Sequence, residues 1–143
     1  MPPELRGEIW CLLCRQSEES AIHSPNLYWK LLEVDNEVEE YKITKDIKRT
    51  LPELQMFQED YRSGRNKLYN VLKAYSTYDN ELGYAQGINY LAAMLIIQIE
   101  DEERAFWCLQ HILCRRNWRM VYDNNTPKLM SLLDLLRDRM LKH

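Results

Sequence analysis

The chain has 143 residues, of which 45% are hydrophobic and 29% charged, enough apolar material for one domain with a buried core. Twenty-two acidic residues against nineteen basic ones give a net charge of −3, which excludes a global electrostatic case for nucleic acid or an anionic membrane. No apolar run approaches the roughly 20 residues that span a bilayer, and the N-terminus lacks the basic and apolar regions of a signal peptide. The expected setting is the cytoplasm.

Taken in chain order, the periodicity predicts helices almost throughout, about seven of them, and no sheet. The first follows Pro2 and Pro3, with Ile9, Trp10, Leu13 and Cys14 as its buried stripe, and ends in the polar run from Gln16 to Ser20. A short second helix covers Leu27 to Glu33. The acidic stretch from Glu33 to Glu40 reads as a loop or frayed helix.

A third helix runs from about Tyr41 to Arg49, because Pro52 disfavours helical angles at Leu51. The fourth is expected from Arg65, after a Ser63-Gly64 turn, with Leu68, Val71, Leu72 and Tyr75 on one face. The fifth opens after Gly83 and carries Ile88, Leu91, Ala92 and Leu95. Its apolar character on nearly every side predicts a central position. Asp101 to Glu103 cap a sixth helix facing Phe106, Leu109, Ile112 and Leu113 inward. The seventh follows Thr126-Pro127 and is expected to bury Leu129, Leu132, Leu133, Leu136 and Met140.

Cys11, Cys14, Cys108 and Cys114, with His111, are the only candidates for a metal set. Each cysteine lies in an apolar helical pattern without the turns of a zinc knuckle, so buried thiols and no metal are expected. No catalytic constellation emerges either. His23, His111 and His143 adjoin no nucleophile motif, no Gly-rich phosphate loop is present, and carboxylates such as Asp60 and Asp79 are scattered.

Two polar features exceed what a plain core needs. Asp46 and Arg49, three residues apart, share a face opposite Ile43 and Ile47; a surface salt bridge is the simplest account. In Gly83-Tyr84-Ala85-Gln86-Gly87 an amide stands at the start of an apolar helix, where burial without partners costs about 1 to 3 kcal/mol.

Four elements in order resemble the TBC domain of Rab GTPase-activating proteins. They are Leu5-Arg6-Gly7-Glu8-Ile9-Trp10, then Ile43-x-x-Asp46-x-x-Arg49-Thr50, then Arg65-x-x-Leu68-x-x-Val71-Leu72-x-Ala74-Tyr75-Ser76, then Gly83-Tyr84-x-Gln86-Gly87-Ile88-Asn89. The similarity extends through Glu103 to Trp107. The family's domains run to about two hundred residues, so residues 1–143 are expected to be one domain lacking its C-terminal helices.

The resemblance implies a GTPase activator with no chemistry of its own. Arg49 would be an arginine finger and Gln86 a glutamine finger, both entering a Rab in its GTP-bound form; Asp46 would orient Arg49, and Tyr84 would hold the backbone presenting Gln86. GTP and magnesium would belong to the partner, so no cofactor is expected here. Location at endomembranes, in vesicle trafficking, would come through the Rab. Arg6, Trp10, Arg65 and Asn89 match as scaffold. A non-catalytic GTPase-binding scaffold and a generic helical adaptor are the alternatives; the first would not need both fingers, and the second leaves Arg49 and Gln86 unexplained.

Overall fold

The structure is a computed structural model that describes residues 2–58, 62–123 and 126–141. Asp60 and His143, named above, lie outside them. Among the described residues every regular element is helical: α1 (Pro3–Leu13), α2 (Gln16–Ile22), α3 (Leu27–Leu32), α4 (Glu37–Ile47), a 3-10 turn (Gln55–Phe57), α5 (Arg62–Tyr78), α6 (Ile88–Ile99), α7 (Glu102–Gln110), a π-helical turn (His111–Arg115), α8 (Arg119–Tyr122) and α9 (Pro127–Met140).

The core lies where α5, α6 and α7 pack on one another, with α1, α3 and α4 around them. Leu68, Val71 and Leu72 from α5, Ile88, Ala92 and Ile96 from α6, and Phe106, Trp107 and Leu109 from α7 are wholly or almost wholly buried. Helix α6 is central, as its composition predicts, although Tyr90 and Met94 reach solvent.

Several expectations are corrected. The polar run expected to end the first helix forms a helix of its own, α2, begun by Arg15 in a left-handed conformation with φ +49°. Helix α1 buries Cys11 and Cys14, while Trp10 and Leu13 are exposed and Ile9 is half-buried; the stripe is rotated by a residue toward α6 and α7. The acidic stretch begins α4: the Asn36 side chain accepts from the Glu39 N–H, and Glu37, Glu39 and Glu40 lie in the first turn, where negative charge is favoured.

Helix α5 runs through Ser63-Gly64 without a turn. A Cβ at Gly64 would stand 2.2 Å from the Met56 carbonyl oxygen, so the glycine lets the 3-10 turn lie directly on the helix. The largest correction is α9. Leu129, Leu132, Leu133, Leu136 and Met140 are all exposed, because α9 packs chiefly on the four-residue α8 and its apolar face meets no second surface among the described residues.

Candidate functional site

Helix α4 ends at Ile47 and the chain turns, the Arg49 N–H donating to the Asp46 carbonyl and the Thr50 N–H to that of Ile47. Ile43 and Ile47 are buried, which fixes the helix's rotation and carries Asp46 inward as well. Asp46 is therefore a buried carboxylate, not half of a surface pair. It accepts from Arg49 Nη2 at 2.6 Å on one oxygen and from the Tyr84 hydroxyl at 2.7 Å on the other.

Arg49 is anchored at this one point while its side chain remains 58% exposed, with no other partner among the described residues. A cation so held keeps donors for a ligand in a geometry set by the carboxylate beneath it. Burial raises the Tyr84 phenol well above its ordinary range, and the Asp46 carboxylate beside it acts in the same direction, so Tyr84 stays protonated as the donor.

Residues 83–87 form a loop rather than the first turn of α6. Gln86 is thus exposed, and the cost of burying its amide without partners does not arise. The loop is fixed on both sides of Gln86. Before it, the Tyr84 N–H donates to the Glu39 carboxylate and the Tyr84 ring is buried. After it, Gly87 adopts φ +104°, an angle that L side chains rarely take, and its N–H donates to Asn89 Oδ1 at 2.9 Å.

Asn89 joins the two halves. Its amide donates to Thr50 Oγ1 at 2.8 Å, and that hydroxyl donates to the Asp46 carbonyl at 2.6 Å. Thr50 and Asn89 are almost fully inaccessible, so this bridge is a satisfied buried network linking the turn after α4 to the start of α6. Asp46, Tyr84 and Gln86 line one cavity of about 230 Å³ with Lys42 and Lys45. Two of its walls come from side chains that reasoning along the sequence passed over, although Lys42 and Lys45 lie within a turn of Asp46.

Tyr84 serves differently from its expected part. Beyond holding its own loop, it braces the carboxylate on which Arg49 rests. Arg65 is also structural, donating through Nε to the Phe57 carbonyl and so tying α5 to the 3-10 turn.

The cysteines fall in two places. Cys11, Cys14 and Cys108 are buried where α1 meets α7, and the hydrogen bond that Cys108 donates to Cys14, with burial, raises the Cys108 thiol far above its ordinary range. Cys114 lies 4.0 Å from the Tyr75 hydroxyl instead. Among the described residues no group of three or more His, Cys, Asp or Glu is arranged to hold a metal ion, and no helix is long and apolar enough to cross a membrane.

Comparisons with known proteins agree with this architecture. The chain is 33% identical over 134 residues to growth hormone-regulated TBC protein 1-A of Danio rerio, covering 92% of this chain and 36% of that protein. It is 35% identical over 144 residues to Rab GTPase-activating protein tbc-11 of Caenorhabditis elegans, covering 96% of this chain and 15% of that one. The chain therefore spans about a third or less of these relatives. A crystal structure of the Chlamydomonas flagellar RabGAP TBC domain shares its fold with a TM-score of 0.71 and 23% identity, over 85% of this chain and 46% of that one. The family model for the Rab-GTPase-TBC domain matches residues 3–143, and the chain belongs to that family.

Proposed function

We propose that this chain accelerates GTP hydrolysis on a Rab-type GTPase in its GTP-bound form, with Arg49 and Gln86 reaching the partner's nucleotide and no cofactor of its own. The observation that carries the reading is the buried Asp46 carboxylate. It is braced by Tyr84, lines the cavity that Gln86 also lines, and holds a guanidinium that stays largely exposed. A residue needed for packing alone has no reason to be pinned at one end and open at the other.

In this mechanism Arg49 balances charge gathering on the γ-phosphoryl oxygens, and its planar fork suits two of them at once. Gln86 orients the attacking water through its amide. The bridge through Thr50, Asn89 and Gly87 ties the turn that follows Arg49 to the end of the loop that carries Gln86, which reduces the backbone ordering left to be done in a complex. Magnesium and GTP stay with the GTPase. An arginine supplied in trans contributes about 10³ to 10⁵ in rate, so no nucleophile is required on this side. Membrane proximity and vesicle trafficking follow from the partner.

The decisive experiment is single-turnover hydrolysis on a panel of GTP-loaded Rabs, run with the full-length protein beside equilibrium binding. Arg49→Ala is expected to lower the activated rate by at least about two orders of magnitude while binding changes far less, because the contact matures in the transition state. Arg49→Lys does not restore the rate, since a point charge cannot replace the fork. Lost binding with an unchanged rate would make Arg49 a docking contact and this chain a non-catalytic scaffold.

A further inference from the structure

A second cavity, of about 430 Å³, lies between α2 and the π-helical turn after α7 and shares no residue with the Asp46 cavity. It is lined by Arg15, Glu18, Glu19, Ile22, His111, Arg115 and Arg116. Its size is that of a small-molecule site.

The interior of this cavity is polar, buried and incompletely paired. Glu19 is 4% exposed and His111 6% exposed. Glu19 Oε1 meets His111 Nδ1 at 3.1 Å and accepts from Arg115 Nε at 3.3 Å. Glu19 Oε2 and His111 Nε2 are buried and have no hydrogen-bond partner. A carboxylate can only accept, so the shared proton is on Nδ1, and His111 Nε2 is left without a protein partner. Two buried polar atoms are left, Glu19 Oε2 and His111 Nε2, and native interiors seldom leave such atoms without a partner.

Charge at the cavity points the same way. Arg15 pairs with Glu18 at 3.5 Å and Arg115 with Glu19, whereas Arg116 has no acidic partner among the described residues. Three arginines against two glutamates leave a cationic surplus at the cavity that holds the two unpartnered atoms. The π-helical turn brings these groups together: the Arg116 N–H reaches back five residues to the His111 carbonyl, so one extra residue is fitted between His111 and the arginines. Turns of this kind are rare and recur at functional sites.

We infer that this cavity binds a phosphate monoester carrying neighbouring hydroxyl groups. The phosphate meets Arg15, Arg115 and Arg116, and the hydroxyls, which can donate or accept, pair with Glu19 Oε2 and His111 Nε2. A phosphate monoester carries between one and two negative charges near neutral pH, matching the cationic surplus. Guanidinium forks bind its oxygens, and each hydroxyl supplies the partner that a buried polar atom lacks. A soluble polyol phosphate and a membrane lipid headgroup offer this same chemistry.

The test is an isothermal titration of the chain with glycerol 1-phosphate, ethyl phosphate and glycerol. Glycerol 1-phosphate is expected to saturate one site with a Kd on the order of 1 mM or below. Ethyl phosphate, which lacks the hydroxyls, is expected to bind about tenfold more weakly, and glycerol, which lacks the charge, not measurably. The double variant Arg15→Gln/Arg116→Gln, whose side chains are exposed and leave the core intact, is expected to weaken glycerol 1-phosphate about tenfold or more.

Sedimentation with phosphatidylcholine vesicles, with and without phosphatidylinositol 4-phosphate, assigns the source. Capture dependent on the phosphoinositide and lost in the double variant makes the ligand a headgroup, and soluble binding without capture makes it a free polyol phosphate. Absence of saturation by about 10 mM, equal binding of ethyl phosphate, or an unchanged affinity in the double variant overturns the inference. None of these readouts involves GTP hydrolysis, so the outcome is independent of the function proposed for Arg49.

Discussion

Helices α4 and α9 carry the same kind of sequence pattern and meet opposite fates. In α4 the stripe through Ile43 and Ile47 is buried against α5, and it takes Asp46 inside with it. In α9 the leucines recur just as regularly, yet Leu132, Leu133 and Leu136 are 44%, 48% and 54% exposed. Periodicity identifies which face of a helix is apolar; burial also needs a facing surface, and that belongs to the rest of the fold. The difference matters for Asp46, since a packed helix holds that carboxylate in place beneath an exposed arginine.

The comparison breaks if equal deletions in the two regions cost the same. Leu72→Ala removes a side chain that is 1% exposed, and a loss of about 2 to 5 kcal/mol of unfolding free energy is expected. Leu136→Ala removes the same atoms from an open face, where about 0.5 kcal/mol or less is expected. Urea denaturation of both variants gives the two numbers. A loss above about 2 kcal/mol for Leu136→Ala would mean that α9 is covered in solution.

A smaller effect is expected inside the α4 network. Tyr84→Phe keeps the ring and removes the donor from Asp46 Oδ2, leaving a buried carboxylate oxygen short of a partner at a cost of about 1 to 3 kcal/mol. If the activation proposed above holds, the rate falls too, because Arg49 loses the brace beneath its anchor while keeping its own charge. A stability loss with full activity would show that Tyr84 braces the fold and not the arginine.

How much of this was legible along the chain depends on the range of each contact. The bond from Arg49 to Asp46 spans three residues and is readable as a shared helix face. The bonds from Tyr84 to Asp46 and from Asn89 to Thr50 span 38 and 39 residues, and no periodicity encodes them. The resemblance set Asp46 and Tyr84 in two motifs but gave Tyr84 only its own loop to hold, so both bonds are findings of the structure. Gln86 was misplaced for a related reason: the apolar run beyond it suggested an early helix start, whereas the left-handed Gly87 delays α6 to Ile88 and leaves the amide outside. The cavity at Glu19 and His111 gave no local signal, its parts being 92 residues apart and its π-helical turn lying in an ordinary apolar pattern.

The smallest effect concerns the carboxylate that ties α4 to α5. Glu40 accepts from the Tyr69 hydroxyl and from the Asn36 N–H at 3.1 Å, and pairs with Lys73 at 3.0 Å. The Tyr69 hydrogen bond, then the Asn36 amide and Lys73, hold its carboxyl down to about 2, against 4.5 for a free glutamate. A depressed folded-state value favours the native state above the unfolded value, and that contribution is lost as pH falls from about 4.5 toward 2. Because Glu40 is partly exposed and screened, about 0.2 to 1 kcal/mol is expected. Helix α9 offers the contrast: its Asp134–Arg137 pair, at 3.1 Å, has both side chains more than half exposed and joins no second helix. Urea midpoints of the wild type and Glu40→Gln, taken at neutral pH and at about pH 3 inside that window, isolate the contribution. The variant is expected to start slightly less stable and to lose less on acidification, so that the two converge. Equal losses in both proteins would place the acid sensitivity elsewhere and remove Glu40 as the charged tie between the site-bearing helix and the core.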